Sequence, residues 1–153
     1  MARKSPRTKD EQRHYNMSRI RSKDTKPEVL LRKALWHEGI RYRKNVKNLP
    51  GKPDIAITKY KIAIFCDGEF WHGKDWEGKR QRIKNNRGYW LSKIEKNISR
   101  DNENDKQLHY LGWLAMRFWS KDITKNVASC VGDVKRAILQ AQKNMVISSS
   151  NSS

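Results

Sequence analysis

Two short apolar runs constrain this chain more than any other feature: residues 54–58 and residues 61–66, separated only by Lys59-Tyr60. Runs of this length, rich in Ile and bounded by turn residues, read as strands, and so short a connection makes them a hairpin. Each run carries a carboxylate at one end. Asp54 opens the first, after the loop Leu49-Pro50-Gly51-Lys52-Pro53, and Pro53 stiffens the entry because its φ is fixed. Asp67 closes the second and leads into Gly68-Glu69-Phe70-Trp71-His72-Gly73. A hairpin therefore sets Asp54 beside Asp67, with two large rings and an imidazole close behind.

The flanking segments complete an α/β pattern. Thr25 and Glu28 stand at capping-box spacing, Pro27 suits a first helical turn, and a helix runs from there to about His37 with Gly39 ending it. Residues 41–44 are a short strand. Residues 73–88 read as a basic loop with at most one helical turn. Residues 89–110 form a long helix with Trp90, Leu91, Ile94, Ile98, Leu108 and Leu111 inward, and Gly112 stops it. A strand follows over 113–119 and a last helix over 126–143. The order predicts a mixed central sheet with helices on both faces. Residues 1–24 are expected to be a basic, partly helical arm, residues 25–145 the domain, and residues 146–153 a disordered Ser-rich tail.

Charge narrows the partner. Lys and Arg number 34 against 16 Asp and Glu, a formal net charge of +18. A field of that sign gathers polyanions, and nucleic acid is the expected one. No run is long and apolar enough to span a membrane. Cys66 and Cys130 stand far apart and form no CxxC pair, which suits reduced thiols in the cytoplasm.

In so basic a chain, converging acids need a reason. Two neighbouring carboxylates repel unless a cation sits between them or one is protonated. A divalent metal resolves this, and Mg²⁺ suits a site with few carboxylates and several waters. Asp54 and Asp67 are the ligand candidates. Cys66 can offer its carbonyl, since its thiol is a soft ligand. His72 can act as an imidazolium on the leaving oxygen, or as a neutral base on water. Glu28 can cap its helix, orient water, or do both. Phe70 and Trp71 are consecutive, so at least one is free to stack on bases or wedge into a base step. Trp90 fits either that task or the core. Lys93, Asn97 and Arg100/Asp101 form a polar helical stripe able to meet phosphate.

These residues resemble the very-short-patch-repair DNA mismatch endonucleases, from Asn16-Met17 to Trp119. The matching blocks include Asp24-Thr25 and Glu28, Leu49 to Asp54, Ile64 to Gly68 with Phe70-Trp71-His72-Gly73, Trp90 with Lys93-Ile94, Asn97 and Arg100-Asp101, and Leu111-Gly112-Trp113. The resemblance implies a restriction-endonuclease-like three-layer α/β fold of the PD-(D/E)xK type. It implies Mg²⁺-dependent nicking 5′ to the thymine of a T:G mismatch. By position, Asp54 is the central metal ligand, Cys66 supplies a carbonyl, and Asp67 lies near the attacking water. His72 is the catalytic histidine and Glu28 the accessory acid. Phe70, Trp71 and Trp90 match the intercalating aromatics, and the arm with Arg19 and Arg21 lies in a DNA groove. The expected setting is a monomer on double-stranded DNA in the bacterial cytoplasm, on the nucleoid, with mismatch-repair proteins as partners.

Well-known members of that family hold a structural zinc through thiolates that are missing here. Glu69 and Lys121 stand at two of the vacated positions. No zinc is expected, and an ion pair between Glu69 and Lys121 is expected in its place. Two alternatives stay open: the same fold acting on a restriction-type or branched DNA target, or a binding module without catalysis. Asp54, Asp67, Glu28 and His72 together speak against the second, because a pure binder gains nothing from acids that repel phosphate.

Overall fold

The hairpin forms where the two apolar runs predict it. In the computed structural model, which describes residues 24–69 and 72–151, β2 (Ile55–Ile57) pairs antiparallel with β3 (Ile62–Asp67). Ile55 faces Ile64 and Ile57 faces Ile62 across the ladder. The two-residue strand β1 (Arg43–Lys44) adds antiparallel to β2, and β4 (Leu114–Trp119) lies parallel to β3. The sheet is therefore mixed, in the order β1-β2-β3-β4. A parallel neighbour demands a crossover, which here runs through α2 (Trp76–Arg82) and α3 (Arg87–Tyr110).

Strand alternation divides the core in two. On one face Ile55, Ile57, Ile62 and Ile64 pack against Leu31 and Leu35 of α1 (Lys26–His37). Ile123 of α4 (Ser120–Lys125) and Val131 and Val134 of α5 (Val127–Asn151) close that layer. On the other face Ala63 and Phe65 meet Leu108 of α3. The result is the three-layer α/β arrangement that the element order implies, with α3 on the side where Asp67 emerges.

Several local features differ from the sequence reading. Thr25 is the N-cap residue of α1 but makes no side-chain cap bond. Glu28 reaches back one residue further and accepts the backbone N–H of Asp24 at 2.7 Å. Asp24 sits at a left-handed φ of 55°. The basic stretch after Gly73 holds the two-turn helix α2, where at most one turn was expected. The short helix α4 follows β4 directly, and nothing in the alternation of that segment announces it. Helix α5 runs to Asn151, past the expected end at residue 143. Extending an existing helix needs no new nucleus, and Ser costs only a few tenths of a kcal/mol more than good helix formers.

The N-terminal arm with Arg19 and Arg21 lies outside the described residues, as do Phe70 and Trp71. Among the described residues no helix is long and apolar enough to cross a membrane.

Candidate active site

Two further acids, Glu28 and Asp67, lie close enough to Asp54 to bear on its charge where β2 begins and β3 ends. The hairpin brings the backbone of Cys66 against Asp54, and the Cys66 N–H donates to Asp54 Oδ2 at 2.7 Å. Burial pushes the Asp54 carboxyl up to about 7. The Cys66 bond opposes this, and the negative charges of Glu28 and Asp67 reinforce it. Among the described residues no ion pair reaches Asp54.

Its two neighbours are better served. Glu28, 3% exposed, accepts the Asp24 N–H and lies 3.8 Å from Arg32. Arg32 in turn holds Asp24 at 3.0 Å, and Asn45 bonds the same oxygen at 3.1 Å. Asp67 takes Arg117 Nη1 on both oxygens, at 3.2 and 3.1 Å. Burial raises the Asp67 carboxyl all the same, against the pull of His72 and Arg117. Burial also pushes the Cys66 thiol up, and the acids around it add to that, so the sulfur stays protonated and is a poor ligand.

His72 is held by the fold of its loop. Its N–H donates to the Gly68 carbonyl at 3.1 Å, and Gly73 follows at a φ of 68°. A Cβ at Gly73 would lie 2.4 Å from Ile98 Cδ1, so only glycine lets this turn rest on α3. The imidazole Nδ1 then sits 2.5 Å from Asp101 Oδ2 and 3.8 Å from Asp67 Oδ1. Burial alone would lower the imidazole. The bond to Asp101 and the charges of Asp67 and Asp101 outweigh it and raise His72 above its ordinary value. The pair thus favours an imidazolium with Nδ1 committed to Asp101. In sequence, Asp101 belonged to a stripe meant for phosphate; the structure turns its carboxylate onto the histidine instead.

Arg117 is the residue that sequence reading missed. Its guanidinium bonds Asp67, reaches Asp105 at 2.8 Å and lies 3.7 Å from Asp101, stacked 4.1 Å over the Phe65 ring. The one available signal is a lone cation amid the apolar residues of β4. Nothing in local spacing names its partners, which lie 12 and 50 residues away.

The donor set around Asp54 fits a hard divalent cation. It is all oxygen, and its central carboxylate is buried with one backbone partner. A second group, Asp67, His72 and Asp101, brings ligand atoms within 4.8 Å of one another.

The expected DNA-contacting residues fare unevenly. Trp90 is 2% exposed and buried in the core. Core packing wins because the indole falls on the same face of α3 as Ile94. Lys93 lies 5.7 Å over the Tyr89 ring, and Arg100 bonds Asn97 on the exposed side of α3. Glu69 and Lys121 do meet, but not as the expected ion pair. The backbone N–H of Lys121 donates to Glu69 Oε1 at 2.7 Å. Lys121 lies in the first turn of α4, where amides have no partner within the helix, and the Glu69 carboxylate accepts one of them.

Comparison with known proteins agrees with this architecture. The family model for DNA mismatch endonuclease Vsr matches residues 7–78. The Type II nicking enzyme V.NmeDIP of Neisseria meningitidis serogroup C is 51% identical over 132 residues, 86% of this chain and 89% of that protein. The Type II nicking enzyme V.HpaIIP of Haemophilus parainfluenzae is 48% identical over 120 residues, 78% of this chain and 85% of that one. DNA mismatch endonuclease Vsr of Escherichia coli (strain K12) is 34% identical over 110 residues, 70% of this chain and 68% of that one. With its α/β sheet, its acidic strand ends and relatives of this closeness, the chain belongs to the Vsr family of DNA endonucleases.

Proposed function

We propose that this protein nicks one strand of duplex DNA in a Mg²⁺-dependent hydrolysis, 5′ to the thymine of a T:G mismatch. The observation that carries the metal-dependent reading is Asp54: a buried carboxylate at a rigid strand end, flanked by two more acids and with no ion-pair partner among the described residues. Asp54 and the Cys66 carbonyl would hold the ion, with Asp67 beside the attacking water. Bound Mg²⁺ supplies positive charge to the phosphoryl oxygens and lowers the pKa of its water.

The chain's own residues do the rest. Glu28, fixed by Asp24 and Arg32, orients the water. His72, kept protonated by Asp101, gives the proton of its other ring nitrogen to the leaving O3′ as the P–O bond breaks. Phe70 and Trp71 wedge beside the mismatch, and Arg19, Arg21, Lys93, Asn97 and Arg100 track phosphates. The protein acts as a monomer, in the cytoplasm and on the nucleoid, with mismatch-repair proteins as partners. It carries no structural zinc, since Glu69 at a vacated ligand position is engaged with the α4 terminus.

A second reading keeps the chemistry and changes the target. The two relatives with 51% and 48% identity are named Type II nicking enzymes, whereas the 34% relative is named a mismatch endonuclease. Labelled duplexes decide between them. Nicking of T:G duplex in Mg²⁺, none in chelator and little on the matched duplex support mismatch action. Equal nicking of both duplexes removes mismatch specificity, and nicking in chelator removes the metal.

A further inference from the structure

The Asp67–His72–Asp101 group has the spacing of a second cation site, yet a cation already serves it. Arg117 Nη1 donates to both oxygens of Asp67 and lies 3.7 Å from Asp101 Oδ1. Its Nε and Nη2 bond Asp105 at 3.0 and 2.8 Å, and its Nη2 also reaches the Asp101 carbonyl at 3.5 Å. The guanidinium plane rests on Phe65, its register neighbour across β3 and β4. A planar fork fixed on four sides is a rigid charge, unlike a lysine ammonium on a flexible stem. His72 Nδ1 approaches the same acids, at 2.5 Å from Asp101 and 3.8 Å from Asp67. Asp54, although Asp67 and His72 bear on its charge, has no ion pair among the described residues.

We propose that Arg117 stands in place of a second divalent ion, so that this enzyme binds one metal, at Asp54. A divalent ion lodged among Asp67, His72 and Asp101 would face a fixed guanidinium within a few ångströms, and like charges at such range repel strongly in a partly buried site. Arg117 is thus a positioning residue: it fixes Asp67 and Asp101, and through Asp101 the imidazole of His72. The inference rests on the Mg²⁺ reading given above.

The test counts ions. Full-length protein bound to nicked duplex is titrated with Mn²⁺, and bound metal is read by electron paramagnetic resonance. Wild type is expected to take up one Mn²⁺ per complex, and Arg117→Ala two. Arg117→Lys, which keeps the charge, stays at one. Two ions in wild type or in Arg117→Lys, or a single ion in Arg117→Ala, overturns the proposal while leaving a metal-dependent enzyme. No Mn²⁺ in wild type overturns the metal reading itself, and this inference with it. Should Arg117→Ala fail to fold, as circular dichroism would reveal, the counts for wild type and Arg117→Lys still decide.

Discussion

Replacing Asp54 by Asn is expected to make the metal-free protein more stable while abolishing nicking. The folded-state pKa of Asp54 is raised from 3.8 to about 7, chiefly by burial. A carboxyl raised in this way costs nothing below about pH 4, where it is protonated whether the chain is folded or not. As pH climbs, the unfolded chain ionises freely and the folded chain resists. Stability is therefore lost through this window, and the loss is complete above about pH 7. A shift of about three units at about 1.4 kcal/mol each sets a ceiling of about 4 kcal/mol. Asn keeps an oxygen able to accept the Cys66 N–H and carries no charge, so it removes the cost. Urea unfolding of metal-free wild type and Asp54→Asn should give matching stabilities near pH 4. Near pH 8 the variant should gain up to about 4 kcal/mol. Saturating Mg²⁺ should then stabilise wild type and not the variant. A gain of the same size at both pH values, or none near pH 8, would refute the reasoning, because the cost would then not come from a buried charge.

The same geometry yields three further expectations. Gly73→Ala forces a Cβ into Ile98 and lifts the His72 turn off α3, so nicking should fall by roughly 10²-fold with DNA affinity nearly kept; unchanged turnover would mean the turn does not place His72. Because His72 is raised and acts protonated, the rate should drop as pH rises through its pKa, and Asp101→Asn should move that descending limb to lower pH; a limb that stays put removes Asp101 from the pair. Glu69→Ala strips an amide partner from the start of α4 and should lower stability by about 1 kcal/mol in thermal or urea unfolding, a loss that Glu69→Gln largely avoids.

What could be read from the sequence follows how local each signal is. The β2–β3 hairpin was legible because its strands and turn lie within 14 residues and its apolar pattern admits one pairing, and that pairing alone brings Asp54 to Cys66 and Asp67. A mixed sheet followed from element order, but the parallel docking of β4 on β3 appears only in the fold. Arg117 was not legible, because a single arginine in a strand says nothing about acids on a distant helix. Trp90 could be read two ways, and only its tertiary surroundings decide that its ring is buried. Glu69 and Lys121 were rightly brought together by position, but the chemistry of their contact depended on α4, a helix of six residues with no pattern of its own. Glu28 was placed as a capping residue, and its partner differed by one residue because the backbone bends at Asp24.

The central chemical claim is that His72, held by Asp101, protonates the leaving oxygen. A duplex with sulfur replacing the bridging O3′ at the nicked position tests it most directly, since a thiolate departs without a proton. On ordinary DNA, His72→Ala should be slower than wild type by about 10²–10⁴-fold, the usual worth of a general acid. On the sulfur-bridged duplex most of that deficit should vanish, leaving the variant within about tenfold of wild type. An equal deficit on both substrates would contradict the assignment and return His72 to the role of a base acting on water.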